Sequence, residues 1–271
     1  MDDMRPIGDV MQQVADELEA QPQVRSEHCP THGEFVSRAY TLYDGGRVHW
    51  SRCEPCDTER KAAQEAADAA RKASEEARRH EERLNRSGIP LRFRSRTLAS
   101  FVAETEAQRR ALGIATEFAD QFAHRYAEGA NLIFAGLPGT GKSHLALGIA
   151  QAIMPRWNSV YVTARELVMR LRATWRSDSA ISEGDLQQTF CRTHLLIIDE
   201  VGVQFGTEAE RTQLFGIIDD RYREQRPSIL LTNLDASGFR DFIGARAVDR
   251  LKECGEWVAF DWDSYRGKKA S

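Results

Sequence analysis

The segment from residue 136 to residue 143 constrains the fold of this chain more than any other feature. It reads GLPGTGKS and satisfies the pattern G-x-x-x-x-G-K-[ST] in full. The apolar run NLIFAG precedes it and a helical pattern follows it, which is the context of a phosphate-binding loop. Glycines let backbone N–H groups approach phosphate oxygens, and the helix adds its positive N-terminal end. The sequence therefore predicts a nucleotide-binding loop made of Gly136, Leu137, Pro138, Gly139, Thr140, Gly141, Lys142 and Ser143.

The last two residues of this loop supply a positive charge and a hydroxyl. In loops of this pattern the lysine, here Lys142, reaches the β- and γ-phosphates, and the hydroxyl, here that of Ser143, holds Mg²⁺. The sequence thus predicts ATP and Mg²⁺ as cofactors. The alternative is a glycine-rich turn that matches by chance, and the strand before it and the helix after it count against that alternative.

Strand-like and helix-like segments alternate from Phe101 onward, as in a parallel sheet covered by helices on both faces. The predicted strands are 131–136, 159–164, 194–200, 228–233 and 256–260. The predicted helices are 105–127, 142–154, 165–176, 208–225 and 236–253. The predicted fold class is α/β, with a five-stranded parallel sheet.

Polar side chains lie at the carboxyl ends of two of the predicted strands, where sheets of this kind bind ligands. In LLIIDE, Asp199 is expected to bind Mg²⁺ from outside its first coordination sphere or through water, and Glu200 is expected to polarise the attacking water. The strand SILLTN ends at Asn233, whose uncharged amide can contact both the γ-phosphate and that water. The alternatives are two solvated acids and a turn-forming asparagine.

Two Cys-x-x-ligand pairs, formed by Cys29 with His32 and by Cys53 with Cys56, flank a segment that reads as a β-hairpin. Thiolates and imidazole are the ligands of tetrahedral Zn²⁺, and this spacing is typical of a zinc ribbon. Four protein ligands leave no open position, so the predicted Zn²⁺ is structural. A redox pair formed by Cys53 and Cys56 is the alternative.

The other cysteines and two histidines have less definite positions. His28 and His49 are alternatives to His32 as a ligand, although the x-x spacing favours His32. Cys191 and Cys254 fall in the alternating strand and helix region, where we expect buried thiols without a function. Few, unevenly spaced cysteines exclude a disulfide scaffold and favour the reducing cytosol.

Composition excludes several classes of protein. Of 271 residues, 41% are hydrophobic and 29% are charged, which suits a globular protein and excludes collagen-like or wholly disordered chains. No apolar run reaches the roughly 18 residues of a membrane span, and MDDMRPIGDV lacks the layout of a secretion signal. We therefore expect no membrane contact and a cytoplasmic location. The net charge of −4 means that any nucleic-acid contact needs a local basic patch.

Three regimes of composition predict the domain organisation. Residues 1–56 would hold an N-terminal helix and the zinc ribbon, residues 57–86 a charged, Ala-rich helical linker, and residues 87–271 an ATPase domain. The linker reads as a solvated helix or spacer, with a short coiled coil as the alternative. The N-terminal helix would turn one apolar face toward a partner or back onto its own chain, and that face carries Val10, Met11, Val14 and Leu18.

A basic stretch follows the linker, and Phe93 lies within it. It suits single-stranded nucleic acid, because phosphates attract its charges and bases stack on aromatic rings. A solvated linker is an equally good interpretation. The arginines of the stretch are Arg86, Arg92, Arg94 and Arg96.

Three segments together resemble the DnaC-type replicative helicase loaders, which are AAA+ ATPases of bacteria and their phages. These segments are GLPGTGKS, LLIIDEVGVQ and RAVDRLKECGEWVAFDWDSYR, and the resemblance covers about residues 86–271. The first two specify only the superfamily, whereas the tail FDWDSYR and the A-R-x-x-D-R-L helix are more specific. With its N-terminal ribbon the chain looks like a phage or prophage form.

The resemblance implies roles for further residues. Arg250 matches the arginine that reaches a neighbouring subunit's ATP, and Arg246 lies one turn earlier on the same helix face. Arg266 resembles a sensor arginine that contacts the γ-phosphate within its own subunit. The family binds single-stranded DNA through the ATPase core, for which the candidates are Gln204, Phe205, Arg170, Arg172 and Arg176.

The implied function is ATP-dependent loading of the hexameric replicative DNA helicase onto single-stranded DNA, with self-association through the AAA+ domain. The IstB-type transposition helpers, which share the core and bind duplex DNA and a transposase, are the nearest alternative. A non-catalytic zinc adaptor is an alternative of another class. The best-known loaders grip the helicase with a helical N-terminal domain that residues 1–85 do not resemble, so helicase capture by this region rests on its position alone.

Overall fold

The computed structural model describes residues 23–41, 48–175, 180–203 and 208–265. The chain divides into two compact units, Met1–Glu76 and Ala77–Ser271. The predicted N-terminal helix with its apolar face lies outside the described residues, and so does the Asp-Gly-Gly turn of the predicted hairpin.

The first unit contains three antiparallel strands in the order β1-β2-β3, namely β1 Val24–Cys29, β2 Gly33–Thr41 and β3 Val48–Trp50. The sequence predicted β2 and β3 but not β1. Residues on both faces of β1 are exposed before Cys29, so the alternation of apolar and polar residues that marks a strand is missing. The turn into β2 needs Gly33, whose φ of 81° favours glycine.

A single long helix, α1, spans Glu54–Arg86 and includes the predicted helical linker. Its side chains are exposed along most of its length, as expected for a solvated helix. Acidic residues occupy its first turn and basic residues its last turn, which suits the helix dipole. Leu84 in the last turn is buried in the core of the second unit.

The second unit is built on a parallel sheet in the order β5-β6-β7-β4-β8, which confirms the predicted five strands. The strands are β4 Asn131–Gly136, β5 Ser159–Thr163, β6 Leu195–Val201, β7 Ser228–Thr232 and β8 Gly255–Phe260. Alternate residues point to opposite faces, so Leu132 and Phe134 enter one hydrophobic cluster and Ile133 enters the other. The sheet is thus covered on both sides.

The helices of this unit differ from the predicted ones at three places. The segment predicted at 105–127 forms two helices that meet at Gln121, and the segment at 236–253 is divided at Gly244, whose φ is 90°. An unpredicted helix, α6, begins after Ser182, whose side chain accepts a hydrogen bond from the backbone of Asp185. The helices are α2 Glu106–Asp120, α3 Phe122–Glu128, α4 Lys142–Ile153, α5 Ala164–Ala173, α6 Glu183–Arg192, α7 Glu208–Arg223, α8 Ala236–Ile243 and α9 Ala245–Glu253.

Within the described ranges, no helix combines the length and the apolar character needed to span a membrane.

Candidate functional site

The loop between β4 and α4 is tightly packed, and this explains two of its glycines. A Cβ added at Gly136 would lie 2.2 Å from the backbone oxygen of Phe260 on the neighbouring strand β8. A Cβ at Gly141, whose φ is 98°, would lie 2.7 Å from the ring of Phe101. Both positions therefore need glycine. Because these two residues have no side chain, the loop backbone stays accessible where the chain enters α4.

Lys142 lies inside this loop and is 7% exposed. Its Nζ donates to the carbonyl oxygens of Gly136 and Leu137, at 2.5 and 2.8 Å. The hydroxyl of Thr140 donates to the same Leu137 oxygen at 2.8 Å. A buried ammonium at the N-terminus of α4 concentrates positive potential at the loop, which suits an anionic ligand such as a phosphate group.

Ser143 and Asp199, 56 positions apart in sequence, are joined by a hydrogen bond from Ser143 Oγ to Asp199 Oδ2 at 2.8 Å. Ser143 lies in the first turn of α4 and Asp199 follows the buried run of β6, so the fold brings the predicted Mg²⁺ residues together. The hydroxyl of Ser143 donates its hydrogen bond to the carboxylate, which leaves the lone pairs of the Ser143 oxygen for a cation. Hydroxyl and carboxylate oxygens are the ligands that Mg²⁺ prefers, so these two residues fit the predicted ion.

Glu200 follows Asp199 at an irregularity of β6. The pairing of β6 with β7 shifts register between Ile198 and Val201, and Glu200 has a φ of 59°. Its side chain is exposed, and its backbone N–H donates to Asp199 Oδ1 at 2.7 Å. Strand irregularities and left-handed backbone at non-glycine residues are found next to active sites, where they redirect a side chain. Here the irregularity removes the Glu200 side chain from the regular alternation of side chains between the two faces of β6.

Asn233 directly follows β7, the strand that lies between β4 and β6. The preceding residue, Thr232, is buried and donates from Oγ1 to the oxygen of Val201 at 2.7 Å. Asn233 itself is exposed. Its strand therefore ends between the loop of Lys142 and the acidic pair.

Arg246 and Arg250 lie on α9 in different surroundings. Arg246 is exposed, whereas Arg250 is partly buried and forms an ion pair with Asp219 of α7. The guanidinium of Arg250 also lies 5.2 Å from the ring centre of Tyr222, a cation–π distance. Arg250 therefore does not simply face solvent, because its charge is held within its own chain.

The tail after β8 contacts the loop, which the sequence did not predict. The indole Nε1 of Trp262 donates to the oxygen of Thr140 at 2.9 Å, and the N–H of Tyr265 donates to the oxygen of Gly139 at 2.9 Å. Trp262 also packs on Phe260, with ring centres 4.8 Å apart. Arg266, which follows Tyr265 in the chain, lies outside the described residues.

The basic stretch after α1 lies within the second unit, and part of it packs against the rest of that unit. Phe93 packs against its hydrophobic core, and Arg94 pairs with Glu81 at 3.2 Å and with Asn85 at 2.8 Å. Phe93 is therefore half-buried rather than presented for base stacking. Among the other DNA candidates, Arg170 pairs with its neighbour Glu166 on α5, and Arg172 is exposed. Gln204, Phe205 and Arg176 lie outside the described residues.

The four predicted zinc ligands form one cluster in the first unit, with ligand atoms within 4.8 Å of one another. His32 Nδ1 lies 3.3, 3.6 and 3.8 Å from the sulfurs of Cys56, Cys53 and Cys29, and two of these sulfurs, those of Cys29 and Cys56, are 3.4 Å apart. Tetrahedral zinc with these ligands requires separations of about 3.6–3.8 Å. The cluster fits Zn²⁺ through His32, rather than through His28 or His49.

The surroundings of the cluster also favour a cation. Backbone N–H groups of Thr31 and His32 donate to the sulfur of Cys29 and lower the pKa of this thiol to about 6. A hydrogen bond to the Cys29 sulfur, followed by burial and by the charges of the neighbouring thiols, raises the pKa of the Cys56 thiol to about 12. On the outer side, His32 Nε2 lies 3.4 Å from a carboxylate oxygen of Glu59. A carboxylate on the second ring nitrogen is the usual partner of a metal-binding histidine.

The cluster also provides most of the interior of the first unit. Among the residues of that unit whose burial is described, only Cys29, Ser37 and Cys53 are buried. Two of the three are candidate ligands, so β1–β3 have almost no apolar core apart from the cluster. Structural zinc sites stabilise small units of this kind.

The parallel sheet, the loop after β4 and the acidic pair near the end of β6 define a P-loop protein of the AAA+ class. The chain belongs to the IstB-like ATP binding protein family, whose model matches residues 65–271. The zinc cluster lies before the matched residues.

Curated relatives place the chain near one group of this family. It is 34% identical to the replicative helicase loader DnaC of Buchnera aphidicola subsp. Schizaphis graminum. This match extends over 185 residues, which are 68% of this chain and 74% of the relative. It is 33% identical over 202 residues to the DnaC loader of Escherichia coli K12, covering 74% and 81%. A crystal structure of the DnaC helicase loader superposes with a TM-score of 0.57 at 23% identity, covering 63% of this chain and 99% of that one. These likenesses confirm the resemblance and the fold class expected from the motifs.

Proposed function

We propose that this protein is an ATP-dependent loader that binds the replicative DNA helicase and places it on single-stranded DNA. The observation that carries the proposal is the joining of the P-loop to the acidic strand through Ser143 and Asp199, in a chain similar to DnaC loaders over about three quarters of its length. A loader acts where the chromosome lies, so the proposal implies a cytoplasmic location.

In this proposal the second unit hydrolyses ATP. Lys142 and the loop backbone bind the phosphates, while Ser143 and Asp199 hold Mg²⁺. When bound, Mg²⁺ supplies positive charge that offsets the charge developing on the phosphate oxygens. Glu200 accepts a proton from the attacking water, and Asn233 contacts the γ-phosphate and that water.

Two arginines complete the proposed ATP site. Arg250 stabilises the nucleotide of a neighbouring subunit, and for this it has to leave its ion pair with Asp219. Arg266 contacts the γ-phosphate of its own subunit. This role rests on the resemblance of the tail FDWDSYR to that of the loaders. Because Arg250 acts on the nucleotide of a neighbouring subunit, this role requires the protein to self-associate through its AAA+ unit.

The first unit is the proposed helicase-binding region, held in shape by structural Zn²⁺ on Cys29, His32, Cys53 and Cys56. We also propose that domain boundaries lie between residues 56 and 57 and between residues 86 and 87. The support is that the family model matches residues 65–271, which leaves the ribbon for a function particular to this chain.

A second candidate function follows from the name of the family model. An IstB-like transposition helper would use the same ATP site on duplex DNA together with a transposase. The DnaC relatives favour the loader, and a loading assay separates the two functions.

The assay supplies the replicative helicase of the source organism, a forked duplex with a protein-coated single-stranded arm, and ATP. Unwinding should require this protein, and the Lys142→Ala variant should give no unwinding. Wild-type protein that binds ATP but never stimulates unwinding, while its ATPase responds to duplex DNA alone, would favour the transposition function.

A further inference from the structure

Tyr161 is a buried tyrosine whose hydroxyl contacts the candidate nucleotide site. It lies on β5, the edge strand next to β6, and is 9% exposed. Its hydroxyl donates to Asp199 Oδ2 at 2.8 Å. The same oxygen accepts the hydrogen bond of Ser143 at 2.8 Å. The two hydroxyls therefore approach one carboxylate oxygen from β5 and from α4.

The hydroxyl of Tyr161 is a neutral hydrogen-bond donor to Asp199 Oδ2. A neutral donor can fix the orientation of a carboxylate without cancelling its charge.

The backbone of Tyr161 is fixed by the segment that follows α1. Its N–H donates to the oxygen of Ser87 at 2.7 Å, and Ser87 is itself buried. Gly88 has a φ of 73°, and a Cβ there would lie 2.5 Å from the oxygen of Tyr161. Only glycine allows this close approach. The ring belongs to the core cluster, so the position of the hydroxyl is set by packing at both ends of the residue.

We infer that Tyr161 is a positioning residue for Asp199, and that it holds this carboxylate in the orientation that meets Ser143 and the Mg²⁺ of a bound nucleotide. Three donors fix the carboxylate: Ser143, Tyr161 and the backbone N–H of Glu200. The bond from Tyr161 comes from outside the P-loop and the acidic strand, so it can hold Asp199 while the loop binds ligand. This inference rests on the proposed function of the site.

The test is Tyr161→Phe, which removes the hydroxyl and keeps the packed ring. Binding of a fluorescent ADP analogue is titrated with Mg²⁺, and its affinity is also measured in EDTA. The half-saturating Mg²⁺ concentration should rise by about three- to tenfold, near the lower end of effects seen for residues that orient metal ligands. Affinity in EDTA should stay unchanged, because Tyr161 does not contact the P-loop backbone. Tyr126→Phe, in the aromatic cluster with Trp157, is the matched control.

Each outcome either supports or overturns the positioning role of Tyr161. An unchanged Mg²⁺ midpoint in Tyr161→Phe overturns the inference, even if the melting temperature falls, because the residue would then be only structural. In an Asp199→Asn background, Tyr161→Phe should add no further shift, and an additive shift would also count against it. If wild-type protein shows no Mg²⁺-dependent nucleotide binding, the proposed function fails as well.

Discussion

Removal of one zinc ligand should unfold the first unit and leave the second unit intact. The change we consider is Cys53→Ser, at a residue that is 5% exposed. Structural Zn²⁺ binds small domains with an apparent free energy of about 10–16 kcal/mol. If four ligands contribute equally, one thiolate accounts for about 2.5–4 kcal/mol, or roughly a 10²–10³-fold loss of affinity.

The same residues provide the interior of β1–β3, so loss of the metal should also mean loss of the fold there. Purified wild-type protein should carry about one Zn²⁺ per chain, and Cys53→Ser should lose it during gel filtration. Limited proteolysis should then cleave within residues 29–56, while the thermal unfolding transition of the ATPase unit is retained. The matched control is Cys191→Ser, a thiol of the second unit that lies outside the cluster.

Two results would refute this reasoning. Wild-type protein without zinc whose residues 29–56 still resist proteolysis would remove the structural role of the metal. Zinc retained at the wild-type level in Cys53→Ser would remove this cysteine from the ligand set.

The ATP site allows further predictions. Glu200→Gln should keep Mg-ATP binding and lose about 10²–10⁴-fold in turnover, since its carboxylate acts on water; native turnover would exclude this role. Lys142→Ala should weaken nucleotide binding itself, measured by fluorescent nucleotide titration, because its ammonium is the buried charge of the loop. Arg250→Ala should bind ATP normally, lose stimulation by single-stranded DNA or helicase, and regain activity when mixed with Lys142→Ala; no rescue between folded, associating subunits would point to Arg246. Trp262→Phe should raise the Kd for nucleotide several-fold with little change in kcat, and an unchanged Kd would leave the tail without influence on the loop.

The sequence predicted the sheet of the second unit because its signals are local. The central strands contain continuous apolar runs, such as residues 195–198 in β6, and the P-loop pattern marks the junction of β4 and α4. The zinc ligands were also predictable, since ligand type and spacing are read directly from the chain. The short helix α6 was missed because its mostly polar residues give few apolar positions at helical spacing.

The remaining features depend on contacts between distant segments. The strand irregularity at Glu200 comes from the pairing of β6 with β7, and the hydrogen bond of Trp262 joins residues 122 positions apart. Tyr161 looks like any strand tyrosine in the sequence. The neighbours that give it a role are Ser87 and Asp199, and only the fold brings them together.

The most direct test of the central claim is co-purification with the replicative helicase of the source organism, with and without ATP. A complex should form through residues 1–85 and respond to nucleotide. Cys53→Ser should weaken capture of the helicase, and Lys142→Ala should remove the response to ATP. Absence of any complex under both conditions, with folded protein that binds zinc and ATP, would contradict the loader function.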